Sequence, residues 1–257
     1  MQPPTPNPTP RRVLVVAPHP DDAEFMVGGS AAHWQRLGAT LHFCLVTDGI
    51  AGSRDPSQTP EALAAIRREE QRNAAAVLGC EDLTFLGYPD SRVEHTLALR
   101  WDLARVIRRF RPDVVVTMDP NFRYGPTYIN HPDHRAVADA TLAAIMPTAN
   151  TLLAALDLYE EGLEPHDVRE VYLVAATTPT VWIALSDEDV QRKIASLREH
   201  KSQMGDWNPE EMVKEWLGRA AEEARAHDIP CEWAEAFAYV RLQPDEGSDP
   251  AVTEVQA

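Results

Sequence analysis

Two tetrapeptides in the sequence contain residue types that bind metal ions and transfer protons. Residues 19–22 read His-Pro-Asp-Asp and residues 131–134 read His-Pro-Asp-His, so together they supply three imidazoles and three carboxylates. Nitrogen and oxygen ligands of this kind suit a zinc-like ion. Catalytic zinc keeps three protein ligands and an open position for water, and a free carboxylate beside it can act as general base. The two segments therefore predict a hydrolytic metal site if the fold brings them together.

The elements that must position these segments are short apolar strands alternating with amphipathic helices. Runs such as Val-Leu-Val-Val-Ala have the composition of strands that are covered on both faces. Strands alternating with helices of this length predict a parallel sheet. The predicted strands span residues 12–17, 40–46, 83–86, 114–118, 171–175, 181–185 and 236–242, and the predicted helices span 23–37, 61–78, 96–110, 131–145, 188–203 and 210–226. The predicted fold class is α/β: a Rossmann-like, mostly parallel sheet with helices on both faces and a C-terminal elaboration.

Both tetrapeptides occupy positions where such a fold binds ligands. Residues 19–22 follow the first predicted strand, and residues 131–134 precede the helix that follows the fourth. Ligands of open parallel sheets bind outside the carboxyl ends of the strands, so we expect both segments to face one crevice. The long irregular stretch at residues 48–60 is a candidate functional loop. Its Arg54 fits either a contact with a substrate hydroxyl or phosphate or a solvated position.

Composition limits the class of partner and the compartment. The 257 residues carry a formal net charge of −16, and 44% of them are hydrophobic. The negative charge disfavours nucleic acid and membrane surfaces, and no apolar run reaches the roughly 18 residues of a membrane-spanning helix. We therefore expect a cytoplasmic enzyme that acts on a small molecule. We expect a flexible proline-rich tail at residues 1–11, a single domain at 12–242 and an acidic tail at 243–257.

The motifs, in this order, resemble the PIG-L/LmbE-like family of zinc-dependent N-deacetylases. The resemblance rests on residues 19–22, on Thr-Asp-Gly at 47–49, on the Arg/Glu-rich helix that runs into Leu78-Gly79, and on residues 131–134. It covers residues 12–145 well, and Lys193 and residues 200–203 also resemble the family's later helix. The resemblance implies hydrolysis of the acetyl, or another acyl, group from the amide nitrogen of an N-acetylated amino sugar or sugar conjugate.

The resemblance also implies a role for each residue of the two tetrapeptides. Asp21 would be the general base that takes a proton from water. His131 would stabilise the oxyanion or protonate the leaving amine, and Asp133 would orient its ring. One Zn²⁺ per chain is expected, although the ligand set also accepts Fe²⁺. Relatives are often trimers or hexamers, so a homo-oligomer is possible. The implied metal ligands are His19, Asp22 and His134.

Alternative interpretations remain open from the sequence. Asp21 and Asp22 also fit ordinary helix capping. A metal-dependent phosphoesterase would use similar residues but normally needs two ions and more ligands. A non-catalytic sugar- or nucleotide-binding α/β module would need no metal. His200 lies in the helix that the resemblance places near the pocket, so we weigh contact with the site against simple burial.

Overall fold

The computed structural model describes residues 6, 8–53, 55 and 57–242. The strands are β1 (Arg12–Ala17), β2 (Thr40–Thr47), β3 (Asp82–Tyr88), β4 (Val114–Met118), β5 (Glu170–Val174), β6 (Val181–Leu185) and β7 (Trp233–Arg241). The helices are α1 (Asp22–Arg36), α2 (Pro60–Val77), α3 (Leu97–Phe110), α4 (Pro132–Ala143), α5 (Leu156–Glu160), α6 (Asp187–Leu197), α7 (Lys201–Met204) and α8 (Glu210–Ala226).

The strands form one mixed sheet in the order β3-β2-β1-β4-β5-β7-β6. Strands β1 to β5 run parallel, and β7 pairs antiparallel with both β5 and β6. The chain first builds outward from β1 to β3 and then crosses back to place β4 on the other side of β1. A reversal of this kind leaves a crevice between the carboxyl ends of β1 and β4. The predicted α/β class and its mostly parallel sheet are confirmed.

The continuous apolar character of β1 follows from burial on both of its faces. Val13 and Val15 pack in the core beneath α1, whereas Leu14 and Val16 pack in a second core beneath α3 and α4. Successive side chains of a strand point to opposite faces, so a strand between two helical layers needs apolar residues at every position. Packing on both faces therefore fixes β1 as far as Ala17, two residues before the first tetrapeptide.

The predicted helix over 188–203 is wrong in one respect. It is two helices, α6 and α7, with a break at His200, whose backbone angles are φ −80° and ψ 58°. The segment contains neither proline nor glycine, so the sequence carries no breaker signal. The break accompanies the complete burial of the His200 side chain, which contacts Glu24 of α1. A tertiary contact therefore overrides local helix propensity here.

Two of the sequence predictions concern residues at the chain ends. The acidic tail at 243–257 and residues 1–5 and 7 of the proline-rich tail lie outside the described residues. The assignment of residues 12–242 to one domain stays a prediction. Among the helices that the structure describes, none has both the length and the apolar character that a bilayer crossing requires.

A buried ion pair fixes α1, the helix that begins at Asp22, against the C-terminal strands. Lys193 of α6 donates to the carboxylate of Glu235 in β7, and the Glu235 oxygens also accept from the backbone amides of Gly29 and Ser30. Gly29 permits this approach, because a Cβ there would lie 2.5 Å from Leu185 Cδ1. The C-terminal elaboration therefore holds the middle of the helix that carries part of the tetrapeptide.

Replacement of Lys193 by Met should destabilise the fold. The Glu235 charge would remain buried without its partner, which costs about 3–5 kcal/mol of unfolding free energy. Urea unfolding of the purified variant measures this loss.

Lys214→Met is the matched control, because Lys214 pairs with Glu210 on an exposed helix face and its replacement should cost less than about 0.5 kcal/mol. The double variant Lys193→Met/Glu235→Gln removes the unpaired charge and should recover part of the loss. Equal stability of Lys193→Met and the wild type would show that the buried Lys193–Glu235 ion pair does not hold the fold together.

Candidate functional site

The two tetrapeptides meet at the crevice between β1 and β4. His19 lies two residues beyond the end of β1, and His134 lies in the first turn of α4. The ring centroids are 4.8 Å apart for His19 and His131, 5.3 Å for His19 and His134, and 5.5 Å for His131 and His134. Residues more than a hundred positions apart in the sequence therefore form one imidazole cluster, as the sequence analysis predicted.

The Asp22 carboxylate joins two of these imidazoles. Its Oδ2 atom lies 3.0 Å from His19 Nδ1 and 3.3 Å from His134 Nε2, and it also accepts from the His19 backbone amide. Ligand atoms of a tetrahedral zinc site with bonds of about 2.0–2.1 Å lie about 3.3–3.4 Å from one another. The spacing of Asp22 from each imidazole is therefore close to that of ligands sharing one ion.

In each of these two rings, the nitrogen that does not contact Asp22 lies beside a hydrogen-bond acceptor. His19 Nε2 lies 3.2 Å from both Asp133 Oδ2 and Asp90 Oδ1, and His134 Nδ1 lies 3.0 Å from Asn130 Oδ1. Acceptors on the far side keep a ring proton there, so the near nitrogen is the one that can bind a metal once it is deprotonated. The donor set therefore fits a divalent ion such as zinc.

Other combinations of the same residues also have ligand spacing. One nitrogen from each of the three histidines lies within 4.8 Å of the others, and the same holds for single atoms of His19, Asp90, His131 and Asp133. Both combinations include His19 and His131, and they overlap with the pair that Asp22 joins. The geometry thus supports a metal centre at this place, and more than one set of three ligands is compatible with it.

Asp21 lies beside this cluster in an unusual backbone conformation. Its φ of 91° is in the left-handed region, which a residue with a side chain adopts at an energetic cost. Its backbone carbonyl accepts from Phe25 N at the start of α1, yet its side chain makes no capping bond to the helix among the described residues. Capping therefore does not explain this carboxylate, which lines the cavity beside the histidines.

Buried polar side chains hold Asp21 from behind. Gln71 Oε1 accepts from the Asp21 backbone amide at 3.1 Å, and Gln71 Nε2 donates to Glu24 Oε1 at 2.7 Å. His200 Nε2 lies 3.1 Å from the other Glu24 oxygen, while its Nδ1 has no hydrogen-bond partner among the described residues. His200 is thus linked by hydrogen bonds through Glu24 to Gln71, and its charge also acts on Asp21.

Burial and charge shift the pKa values of the two aspartates in opposite directions. Burial, followed by the neighbouring Asp22 charge, raises the pKa of Asp21 to about 8. Burial alone would also raise the pKa of Asp22, but the hydrogen bonds from His134 and His19 outweigh it and hold that pKa well below its usual range. Asp22 therefore stays ionised, while Asp21 exchanges protons near neutral pH.

The pKa values of His19 and His131 are also shifted in opposite directions. Burial alone would lower the pKa of His19, but Asp133, Asp22 and Asp90 outweigh it and raise the pKa to about 12. Burial, followed by the His19 charge, lowers the pKa of His131. His131 Nδ1 accepts from the Asp133 backbone amide at 3.2 Å, so a neutral His131 carries its proton on Nε2. The Asp133 carboxylate lies 3.9 Å from His131 Nδ1 and is closer to His19.

Several residues of the site were missed by the sequence analysis. Asp90 follows β3 by two residues and binds the Ala51 amide as well as His19. A carboxylate just past the end of a parallel strand was the signal that could have identified it. Arg67 is 3% exposed and lies against Gly49 and Gly52 in the cavity wall. Its position in an Arg/Glu-rich helix made it resemble a surface residue.

The same helix braces the loop that follows β2. The Arg68 guanidinium donates two hydrogen bonds to the Asp48 carboxylate, at 2.8 and 2.9 Å. Glu70 is buried and accepts from both the backbone and the hydroxyl of Ser202. Arg54, the candidate substrate contact in this loop, lies outside the described residues.

Two cavities of different character meet at His134 and Tyr128. We call the first the polar cavity; it has a volume of about 320 Å³, and His19, Asp21, His131, Arg67, Asp90 and Gln203 are among the residues that line it. We call the second the apolar cavity; it has a volume of about 450 Å³, and Asp22 together with Phe25, Met26, Met118, Phe122, Val174 and Trp216 are among its lining residues.

Known proteins are similar to this chain in sequence and in fold. Residues 14–145 match the family model described as GlcNAc-PI de-N-acetylase, PIG-L. A diacetylchitobiose deacetylase of Thermococcus kodakarensis is 30% identical over 80% of this chain and 73% of its own length. A probable N-acetyl-α-D-glucosaminyl L-malate deacetylase 2 of Bacillus anthracis is 31% identical over 75% of this chain and 81% of its own length. The solved N,N'-diacetylchitobiose deacetylase of Pyrococcus horikoshii has a TM-score of 0.81 at 26% identity, covering 90% of this chain and 84% of its own.

Replacement of Gln71 by Leu tests the support behind Asp21. The buried Asp21 amide and one Glu24 oxygen would lose their partners, which should cost about 1–3 kcal/mol of unfolding free energy. Urea unfolding measures the loss. Asn73→Ala, an exposed change two residues further along α2, is the control and should stay within about 0.5 kcal/mol of the wild type. A Leu variant as stable as the wild type would show that these hydrogen bonds contribute nothing.

Proposed function

The chain belongs to the family of GlcNAc-PI de-N-acetylases, and we propose that it removes the acetyl group from the amide nitrogen of an N-acetylglucosamine conjugate with one bound zinc ion. Its relatives named above are deacetylases of such sugars. The metal ligands in this proposal are His19, Asp22 and His134.

The strongest support for this proposal is the different surroundings of the two adjacent carboxylates, Asp21 and Asp22. A single Asp22 oxygen lies within 3.0–3.3 Å of a nitrogen from each tetrapeptide, while the neighbouring Asp21 carboxylate lines the polar cavity with no hydrogen bond to another residue that the structure describes. Two adjacent carboxylates thus have different environments, one tied to the imidazoles and one available for proton transfer. This division is what metal-assisted amide hydrolysis requires.

The donor set favours a zinc-like ion over a hard alkaline-earth ion. Two imidazoles and one carboxylate are typical ligands of zinc and of ferrous iron, whereas magnesium and calcium prefer oxygen alone. When bound, such an ion supplies Lewis-acid chemistry, which lowers the pKa of water and polarises a carbonyl oxygen. Binding would displace the proton from His19 Nδ1, so uptake of the metal is expected to release a proton.

The chain's own residues move the protons of the reaction. Asp21 accepts a proton from the attacking water, and its raised pKa suits a base that works near neutrality. The protonated Nε2 of His131 donates a hydrogen bond to the developing oxyanion, or passes its proton to the departing nitrogen. Asp133 fixes the His131 ring through its backbone amide and the His19 ring through its carboxylate.

The polar cavity is the place that we assign to the sugar. Arg67, Asp90 and Gln203 offer charged and amide groups to hydroxyls beside the proton-transfer residues. The phosphoesterase alternative gains no support, because the named relatives are deacetylases and the candidate ligand sets within the described residues overlap at His19 and His131. A homotrimer or homohexamer and a cytoplasmic location are retained as proposals.

Replacement of Asp21 by Asn should abolish turnover and leave the metal in place. The amide cannot accept the proton of the attacking water, so the rate should fall by about 10²–10⁴-fold or more. Acetate release from N-acetylglucosamine conjugates measures activity, and elemental analysis measures zinc per chain. Asp139→Asn, which changes an exposed carboxylate on α4, is expected to keep wild-type activity. Retained activity in Asp21→Asn would refute the assigned base.

Replacement of His134 by Ala should remove the metal and the activity together. Elemental analysis of the purified variant is expected to find no stoichiometric zinc, and a chelator should inactivate the wild type until zinc is restored. His131→Ala is expected to lose activity but keep its zinc, which separates this ligand set from the three-histidine combination. The exposed His95→Ala is the control. Stoichiometric zinc in His134→Ala would show that the ligand set is wrong.

A further inference from the structure

The apolar cavity is lined in part by two of the proposed metal ligands and is larger than an acetyl group needs. Asp22 and His134 are among its lining residues, and most of the others have aromatic, methionine, valine or alanine side chains. Its volume is about 450 Å³, whereas one methyl group needs about as much space as a water molecule, roughly 30 Å³ in the liquid. The methyl of acetate would leave most of this space open to water.

The orientation of the scissile amide follows from the two proton-transfer residues. Asp21 and His131 line the polar cavity, and neither lines the apolar cavity. The departing nitrogen must take up a proton, so the nitrogen and the sugar attached to it lie on the polar side. The other substituent of the carbonyl carbon then points away from them, past Asp22 and His134, into the apolar cavity.

The walls of the apolar cavity suit a flexible hydrocarbon chain. Phe25 and Trp216 pack with ring centroids 6.3 Å apart, and Phe122 stacks on Tyr128 at 6.1 Å. Methionine side chains, here Met26 and Met118, adapt their shape to irregular apolar ligands. Its polar lining groups, from Asp22, Asn130, His134 and Tyr128, include the proposed ligands and the partner of one of them.

We propose that the apolar cavity holds the acyl chain of the substrate and that the enzyme hydrolyses N-acyl amino sugars whose acyl chains are longer than acetyl. This inference rests on the proposed function, since the reaction is the same. The water oxygen bonds to the carbonyl carbon, the carbon–nitrogen bond breaks, and the nitrogen takes up a proton to leave the free amino sugar and a carboxylate. Each buried CH₂ is worth up to about fourfold in kcat/KM.

The first test compares N-acetyl, N-butanoyl and N-hexanoyl glucosamine and their methyl glycosides with the zinc-loaded wild type. Within each series the product is the same amine, glucosamine or its methyl glycoside, so one amine assay per series gives kcat/KM for each chain length. We expect kcat/KM to rise with chain length and to be at least about tenfold higher for hexanoyl than for acetyl. Hydrolysis of the acetyl substrate alone would overturn the inference and leave the proposed function intact. No amine from any substrate would count against both.

Two variants change the cavity in opposite ways. Val174→Phe fills it, and Trp216→Ala removes one exposed wall. Both should lower the ratio of hexanoyl to acetyl kcat/KM, by about tenfold for Val174→Phe. Trp207→Ala is the control, because Trp207 is as exposed as Trp216, at 47%, and lines neither cavity. An unchanged ratio in both variants would overturn the assignment.

A binding measurement gives a readout that does not depend on turnover. Calorimetry with zinc-loaded Asp21→Asn should show N-hexanoyl glucosamine binding at least about tenfold more tightly than N-acetyl glucosamine, and adding Val174→Phe should remove the difference. Octyl β-glycosides of N-acetylglucosamine test the opposite orientation. If Val174→Phe weakens these glycosides and leaves the N-hexanoyl compound unaffected, the cavity binds the aglycone and the acyl assignment is wrong.

Discussion

The arrangement of the site depends on the Asp22 carboxylate, which joins two segments that are far apart in the chain. One of its oxygens contacts both the His19 ring, which follows β1, and the His134 ring, which lies in the first turn of α4. Two imidazole rings that are both charged or both neutral do not attract each other strongly. An ionised carboxylate between them attracts both and makes their close approach favourable. The same carboxylate starts α1, where the positive end of the helix dipole further stabilises its negative charge.

A layer of buried polar groups lies beneath this carboxylate. Glu24, Gln71 and His200 are fully buried and are linked by hydrogen bonds, and they lie directly behind the strained backbone of Asp21. Burying such groups costs free energy unless their hydrogen bonds are satisfied. An apolar layer would pack without that cost, so these residues serve to hold the loop that carries Asp21 in a conformation that it would not adopt alone.

The sequence was sufficient to predict the seven strands, their alternation with helices in a mostly parallel sheet, and the meeting of the two tetrapeptides. Continuous apolar runs such as residues 12–17 indicate strands covered on both faces, and position at strand ends follows from the chain order alone. It was insufficient for Asp90, Arg67 and Gln71, because a polar residue in an amphipathic helix or after a short strand looks solvent-exposed until packing is known. The break at His200 was hidden for the same reason: its cause, the contact with Glu24, lies 176 positions away.

The place of β7 in the sheet has a consequence for biosynthesis. This strand is the last of the described chain to leave the ribosome, yet it lies between β5 and β6 and carries Glu235, which holds the middle of α1. Until it emerges, β5 presents an open edge that invites pairing with other nascent chains. A prematurely terminated chain would therefore aggregate rather than persist as a partly active fragment, and selection against early stop codons should extend to the end of this strand.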